Sequence, residues 1–116
     1  LSSNGAWMSK VLKDVGLDNC GSLPDFENFH GYDRYKGLEE LMPFAKGVSA
    51  KSHDFDDNGE ETKTDFTKAL EIVLKHGYHG YVGVEYEGRK LAEKPVAKTL
   101  TALLEKSRTA LHAKKK

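Results

Sequence analysis

The sequence predicts an α/β domain of parallel β/α units, with about three strands and four helices. Three observations point there. Short apolar runs bracketed by Gly or Pro alternate with helical repeats of ten or more residues. Such an order needs crossover connections, and crossovers give parallel strands. The 116 residues suffice for one domain, and 38% of them are hydrophobic, enough for a packed core.

The elements follow in order. Trp7, Met8, Val11, Leu12 and Val15 keep helical spacing, with Asn4 as cap and Gly16 as stop. "NCGSLPDF" (19–26) reads as a first strand with Pro24 near its end. Leu38, Leu41 and Met42 mark a second helix, ended or kinked by Pro43. "GVSAKSHDF" (47–55) is a second strand. Thr64 or Asp65 caps a third helix, whose apolar face is Phe66, Ala69, Leu70, Val73 and Leu74 and whose stop is Gly77. "GYVGVEYEG" (80–88) is the clearest strand. Pro95 suits the first turn of a last helix carrying Val96, Leu100, Leu103, Leu104 and Leu111. No linker or low-complexity segment interrupts residues 1–116, which read as a single domain.

Charge narrows the partners. Eighteen basic residues balance eighteen acidic ones, so no excess draws the chain to a nucleic-acid backbone. Lys114, Lys115 and Lys116 read as a solvated basic end. No apolar run approaches a membrane span, and the N-terminus is not signal-like. The lone Cys20 excludes an internal disulfide and favours a reducing compartment, hence the cytoplasm; it is expected to be buried. The chain starts at Leu1 and enters a helix almost at once, so the front of a longer protein is expected to be missing.

Three candidate metal ligands stand at the C-terminal ends of the three strands: Asp25, His53 and Glu85. They are 28 and 32 residues apart, one β/α unit each time. That edge is where parallel α/β architectures build their sites. Carboxylates with an imidazole suit a hard to borderline divalent ion such as Mn²⁺, Mg²⁺, Co²⁺ or Zn²⁺. Alternation places Ser49 and Lys51 on the face of His53, and Ala50 and Ser52 on the helix side. An inward Lys51 is costly unless paired, which makes it a candidate substrate contact; the alternative is a side chain snorkelling to solvent. With Glu85 inward, Val82 and Val84 pack against helices.

"HDFDDNG" also has the opening spacing of a calcium loop, through Asp54, Asp56, Asn58 and Gly59. Such a loop needs a preceding helix and a Glu at its twelfth position. Here the preceding residues are β-like and position twelve is Asp65. The stretch therefore reads as a solvated loop, turned by Gly59 and leading to the next helix cap.

"LPDFENF", "AKSHDFDDNGEET" and "GYVGVEYEG" together resemble the C-terminal portion of the sugar phosphate isomerase/epimerase family, the xylose-isomerase-like TIM barrels, from about residue 4 to 105. The resemblance implies the last three strands of a (β/α)₈ barrel, preceded by the helix after strand five. It implies one divalent ion, with Asp25, His53 and Glu85 as its last three ligands and a first Glu upstream of Leu1. Glu85 would be one member of the acid/base pair that moves a proton through a cis-enediolate. The family position for a substrate-contacting His holds Asn28, with His30 nearby. A sugar or sugar phosphate is the implied substrate, although the Arg often found after the strand-seven His is not evident.

Glu87 should face the same way as Glu85 but lie past the strand, and Tyr78, Tyr81 and Tyr86 should pack around it. Three strands cannot close a barrel. The chain is therefore expected to form a homo-oligomer or to belong with a missing N-terminal half. Two other functions compete with the isomerase/epimerase. One is a non-catalytic fragment or binding module of the same fold. The other, an abasic-site endonuclease, is disfavoured by the balanced charge and only five histidines.

Overall fold

A computed structural model describes residues 1–89 and 93–113. Its elements are α1 (Gly5–Val15), α2 (Arg34–Leu41), a 3₁₀ turn (Met42–Phe44), β1 (Val48–Ser52), α3 (Phe66–Lys75), β2 (Val82–Tyr86) and α4 (Glu93–Ala113). The result is a small α/β domain with four helices and a two-stranded parallel sheet. The basic end at 114–116 and the Leu111 side chain lie outside the described residues.

The helix boundaries follow local chemistry. Asn4 Oδ1 accepts the Trp7 N–H at 3.0 Å, and Gly16 closes α1 in the left-handed conformation at φ 60°. Asp33 caps α2, which Pro43 converts to the 3₁₀ turn. Asp65, not Thr64, caps α3 by accepting from Lys68 N–H at 3.1 Å. Pro95 falls in the first turn of α4.

β1 and β2 pair in parallel, with Lys51 opposite Glu85 and Ala50 opposite Val84. The expected first strand is reduced to two parallel bridges, Ser22 with Ala45 and Asp25 with Ser49. Two causes combine. Pro24 has no N–H for the ladder, although its carbonyl still accepts from Ser49 N–H at 2.9 Å. The register also slips: three steps from Ser22 to Asp25 oppose four from Ala45 to Ser49, so one extra residue bulges out near Gly47. The segment still lies parallel to β1, as the β/α order requires.

β1 alternates cleanly. Val48 and Ala50 enter the core, and Ser52 Oγ meets Thr99 Oγ1 of α4 at 2.8 Å. Ser49 and Lys51 take the opposite face. Phe26, Leu38, Phe66, Leu70 and Val73 form the core centre, with Phe26 and Phe66 edge-to-face at 5.5 Å. Val82 and Val84 pack against it from β2. Cys20 is exposed, contrary to expectation, since it lies before the first bridge of the segment, at Ser22. Tyr78 packs on the core, whereas Tyr81 is 95% exposed just before β2 begins.

Gly37 faces the ring of Phe29, and a methyl group there would collide with it. Replacing a mid-helix Gly by Ala normally gains up to about 1 kcal/mol. Here overpacking, worth about 1–3 kcal/mol, outweighs that gain. Gly37→Ala should lower stability in urea unfolding by about 1 kcal/mol; a stabilised variant contradicts the packing. On the surface, Glu39 ties α2 to α3 through Lys75 Nζ at 2.8 Å and His76 Nε2 at 2.7 Å. Hydrogen bonds from Lys75 and then His76 hold its carboxyl below the usual carboxylate range. A lowered folded pKa stabilises above the unfolded value, about 4.3, and the contribution vanishes as pH falls through the folded value. Glu39→Gln should therefore cost at most about 1 kcal/mol at neutral pH and nothing at the acid end, read from urea midpoints across pH.

Candidate functional site

The polar face of the sheet gathers Asp25, Ser49, Lys51 and Glu85. Ser49 stands between the two carboxylates: it is bridged to Asp25 in the backbone, and its hydroxyl donates to Glu85 Oε2 at 3.0 Å. Asp25 Oδ1 accepts the N–H groups of Glu27 and Asn28 at 2.8 and 3.1 Å, which fixes the turn after the segment. Asp25 Oδ2 is buried without a hydrogen-bond partner.

Lys51 is only 5% exposed. Its ammonium donates to Glu87 Oε1 at 2.8 Å and Asn28 Oδ1 at 3.1 Å, and lies 3.2 Å from Glu85 Oε1. Burial pulls its pKa down, but the hydrogen bonds to Glu87 and Glu85 and the charges of Asp25 and Glu85 outweigh that, and the pKa is raised. The same bonds hold Glu87 below the usual carboxylate range. Glu87 thus reaches back from beyond β2, where its N–H also donates to Ser52 O at 2.9 Å. Asn28 touches Lys51, and His30 lines a cavity of about 390 Å³ beside Asp25, Asn28, Ser22 and Met8.

His53 lies two residues beyond Lys51, in an adjoining cluster. Its Nδ1 is 2.5 Å from Glu27 Oε2, and its Nε2 is 3.8 Å from Glu87 Oε2. Burial first, and then the charge of Glu61, push the Glu27 carboxyl up against the opposing hydrogen bond from Thr64 and the charges of His53 and Arg34. Glu27 Oε1 accepts from the Thr64 hydroxyl at 3.0 Å and lies 3.7 Å from Arg34, which itself contacts Thr64.

Glu61 fastens this region. Its Oε1 accepts the N–H groups of His53 and Asp54 at 3.1 and 3.3 Å, and its Oε2 those of Lys63 and Thr64, both at 2.6 Å. One side chain thereby joins the end of β1 to the entry of α3. Glu27, His53 and Glu61 offer ligand atoms within 4.8 Å of one another and could hold a metal ion. Among the described residues Asp25 and Glu85 flank Ser49, with Glu85 also reaching Lys51, and His53 is set with Glu27, Glu61 and Glu87. Neither Glu27 nor Glu61 is marked by a sequence period; each reads as a loop glutamate until the fold buries it.

The acidic loop organises itself. Asp56 Oδ1 accepts from Asn58 and Glu60 N–H, each at 2.9 Å, and Gly59 takes φ 83°. Asp65, the twelfth position of the calcium-loop spacing, is occupied in capping α3.

No family model matches this chain. Part of it is similar to alpha subunits of sugar-acting deglycosidases. A C-glycoside deglycosidase alpha subunit of Arthrobacter globiformis is 35% identical over 66 residues, which is 57% of this chain and 19% of the relative. One from Microbacterium trichothecenolyticum is 28% identical over 75 residues, 65% of this chain and 18% of the relative. A 3'-dehydrocarminate deglycosidase alpha subunit of a Microbacterium species is 33% identical over 58 residues, 50% and 17% of the two chains. The matched region spans under a fifth of the length of these relatives.

Glu61→Ala should destabilise the protein by about 3 kcal/mol, because several N–H groups lose their acceptor in a part-buried place. Glu61→Gln, which keeps one acceptor oxygen, should lose less. Urea denaturation measures both, and a loss under about 0.5 kcal/mol for Glu61→Ala contradicts the role.

Proposed function

We infer that the chain is part of a sugar-converting enzyme that removes a proton from the carbon beside a carbonyl group. The observation that carries this is Glu85: an exposed carboxylate oriented by the Ser49 hydroxyl on a polar sheet face, beside a buried cation and a second carboxylate. This is the arrangement a general base and a developing oxyanion need. The similarity to deglycosidase alpha subunits supports a sugar substrate. On this reading the chain forms the last three strands of a (β/α)₈ barrel, and the whole protein works with a further subunit, as the word "alpha" in the relatives' names suggests.

A divalent ion suits the donors. Asp25 Oδ2 is buried without a hydrogen-bond partner, and it belongs to the expected ligand set of Asp25, His53 and Glu85. Glu27 and Glu61 add carboxylates around His53. Carboxylate and imidazole donors favour Mn²⁺, Mg²⁺, Co²⁺ or Zn²⁺. A bound ion would supply Lewis acidity for the substrate's carbonyl oxygen. The chain's own groups do the rest. Glu85 takes the proton, Asn28 contacts the sugar, and Lys51 stabilises negative charge on oxygen.

Two outcomes share that first step. Returning the proton at the neighbouring carbon or on the other face gives isomerisation or epimerisation. On a C-glycoside oxidised at C3', which combines the C-glycoside of two relatives' names with the 3'-dehydro form of the third, the first step gives elimination instead. The ketone at C3' acidifies the C2' proton. Its removal places the electron pair beside C1', the C1'–aglycone bond breaks, and the departing aglycone takes up the proton. The sugar keeps a C1'–C2' double bond, so atoms and electrons balance without an oxidant.

The test is proton exchange. In D₂O with a 3'-oxo C-glycoside, NMR should show deuterium entering C2' or aglycone being released. Glu85→Gln should slow this by about 10²-fold or more. Unchanged exchange in Glu85→Gln contradicts the assignment.

A further inference from the structure

We propose that the two cavities beside Lys51 are the two halves of one substrate site, the charged one for the sugar ring and the other for the planar apolar group joined to it. The inference rests on the reading above for the kind of substrate, a sugar with a carbon-linked aglycone.

Lys51 stands between the two cavities. One, of about 390 Å³, has Asn28 in its wall; the other, of about 440 Å³, has Glu87. The Lys51 ammonium donates to both, to Asn28 Oδ1 at 3.1 Å and to Glu87 Oε1 at 2.8 Å. A single ammonium therefore joins the two walls. Each volume falls within the range of small-molecule sites, about 300–1,000 Å³. Glu85 Oε1 lies 3.2 Å from the same ammonium, and its side chain is 45% exposed. The carboxylate thus reaches whatever crosses the junction.

The two walls differ in kind. His53, Asp54, Lys63, Glu87 and Arg89 line the larger cavity, which has no aliphatic side chain in its wall. A hydroxyl both donates and accepts hydrogen bonds. Lys63 and Arg89 offer donors, Asp54 and Glu87 offer acceptors, and the two signs balance. Such a wall suits a ring of neutral hydroxyls better than an ion of either charge. The smaller cavity instead draws Met8, Leu23, Phe29 and Leu41 into its wall. Leu23 is 67% exposed, and a flat apolar ring laid on it removes that surface from water. This is the place for the aglycone. Asn28 marks the junction, where its amide N–H groups meet the sugar hydroxyl nearest the aglycone. A substrate laid this way sets the bond between its halves over Lys51 and beside Glu85.

Three probes separate the halves: methyl glucoside, phenol and phenyl C-glucoside, each titrated into the ¹⁵N-labelled full chain. Methyl glucoside should shift the amide NMR signals of Asp54, Lys63 and Arg89. Phenol should shift those of Ser22, Leu23, Phe29 and His30, and phenyl C-glucoside both sets. Leu23→Ser should weaken phenol and phenyl C-glucoside by about threefold or more and leave methyl glucoside unchanged. Arg89→Ala should weaken methyl glucoside and phenyl C-glucoside by a similar factor and leave phenol unchanged. Both variants change exposed side chains, so the fold is kept. The proposal is overturned if methyl glucoside and phenol shift one shared set, if the sets are exchanged, if either probe shifts neither set, or if one variant weakens both small probes alike. Binding needs no base, so the reading above fails separately. Divided shifts with unchanged proton exchange in Glu85→Gln sink that reading alone. Slowed exchange in Glu85→Gln without divided shifts sinks the proposal alone.

Discussion

A lysine ammonium buried among carboxylates is the constraint around which the rest of this fold is arranged. β1 has one face for the core and one for polar groups, and Lys51 stands in the middle of the polar one. An unpaired ammonium there would cost several kcal/mol. Its partners come from three separate places: Asn28 from the turn after the bridged segment, Glu85 from β2, and Glu87 from just past it. Satisfying one charge therefore sets the β1–β2 register and anchors the 25–28 turn together.

The second layer of order is Glu61. Helix starts and strand ends leave backbone N–H groups without partners, and loops must supply acceptors. Glu61 accepts at both ends of the loop that links β1 to α3. This holds His53 against Glu27, whose carboxylate is in turn bonded to Thr64 just before α3. The two clusters meet at Glu87, which touches both Lys51 and His53. A sheet face with linked acid, base and cation suits reactions that move a proton and must stabilise the resulting charge.

Much of this was legible in the sequence where short-range chemistry decides. Asn4 and Gly16 bound α1, Pro43 ends α2 and Asp65 starts α3, because caps and prolines act over a few residues. Alternation correctly placed Ser49 and Lys51 opposite Ala50 and Ser52. What it could not supply was distance along the strand. Asp25 lies level with Ser49, Glu85 level with Lys51, and His53 two residues further on. A slip of one residue at the bulge near Gly47 sets the first of these levels, and nothing in "LPDF" announces it. Glu27 and Glu61 were missed for a related reason: a loop glutamate becomes a buried acceptor only once distant backbone is folded against it.

The central claim is that the buried Lys51 ammonium, held by Glu85, Glu87 and Asn28, orders the polar face of the sheet. Urea denaturation of Lys51→Ala at neutral pH tests it most directly. The account predicts a loss of about 2 kcal/mol or more, because the packed stem and the charge-assisted hydrogen bonds go together. A loss under about 0.5 kcal/mol would contradict it.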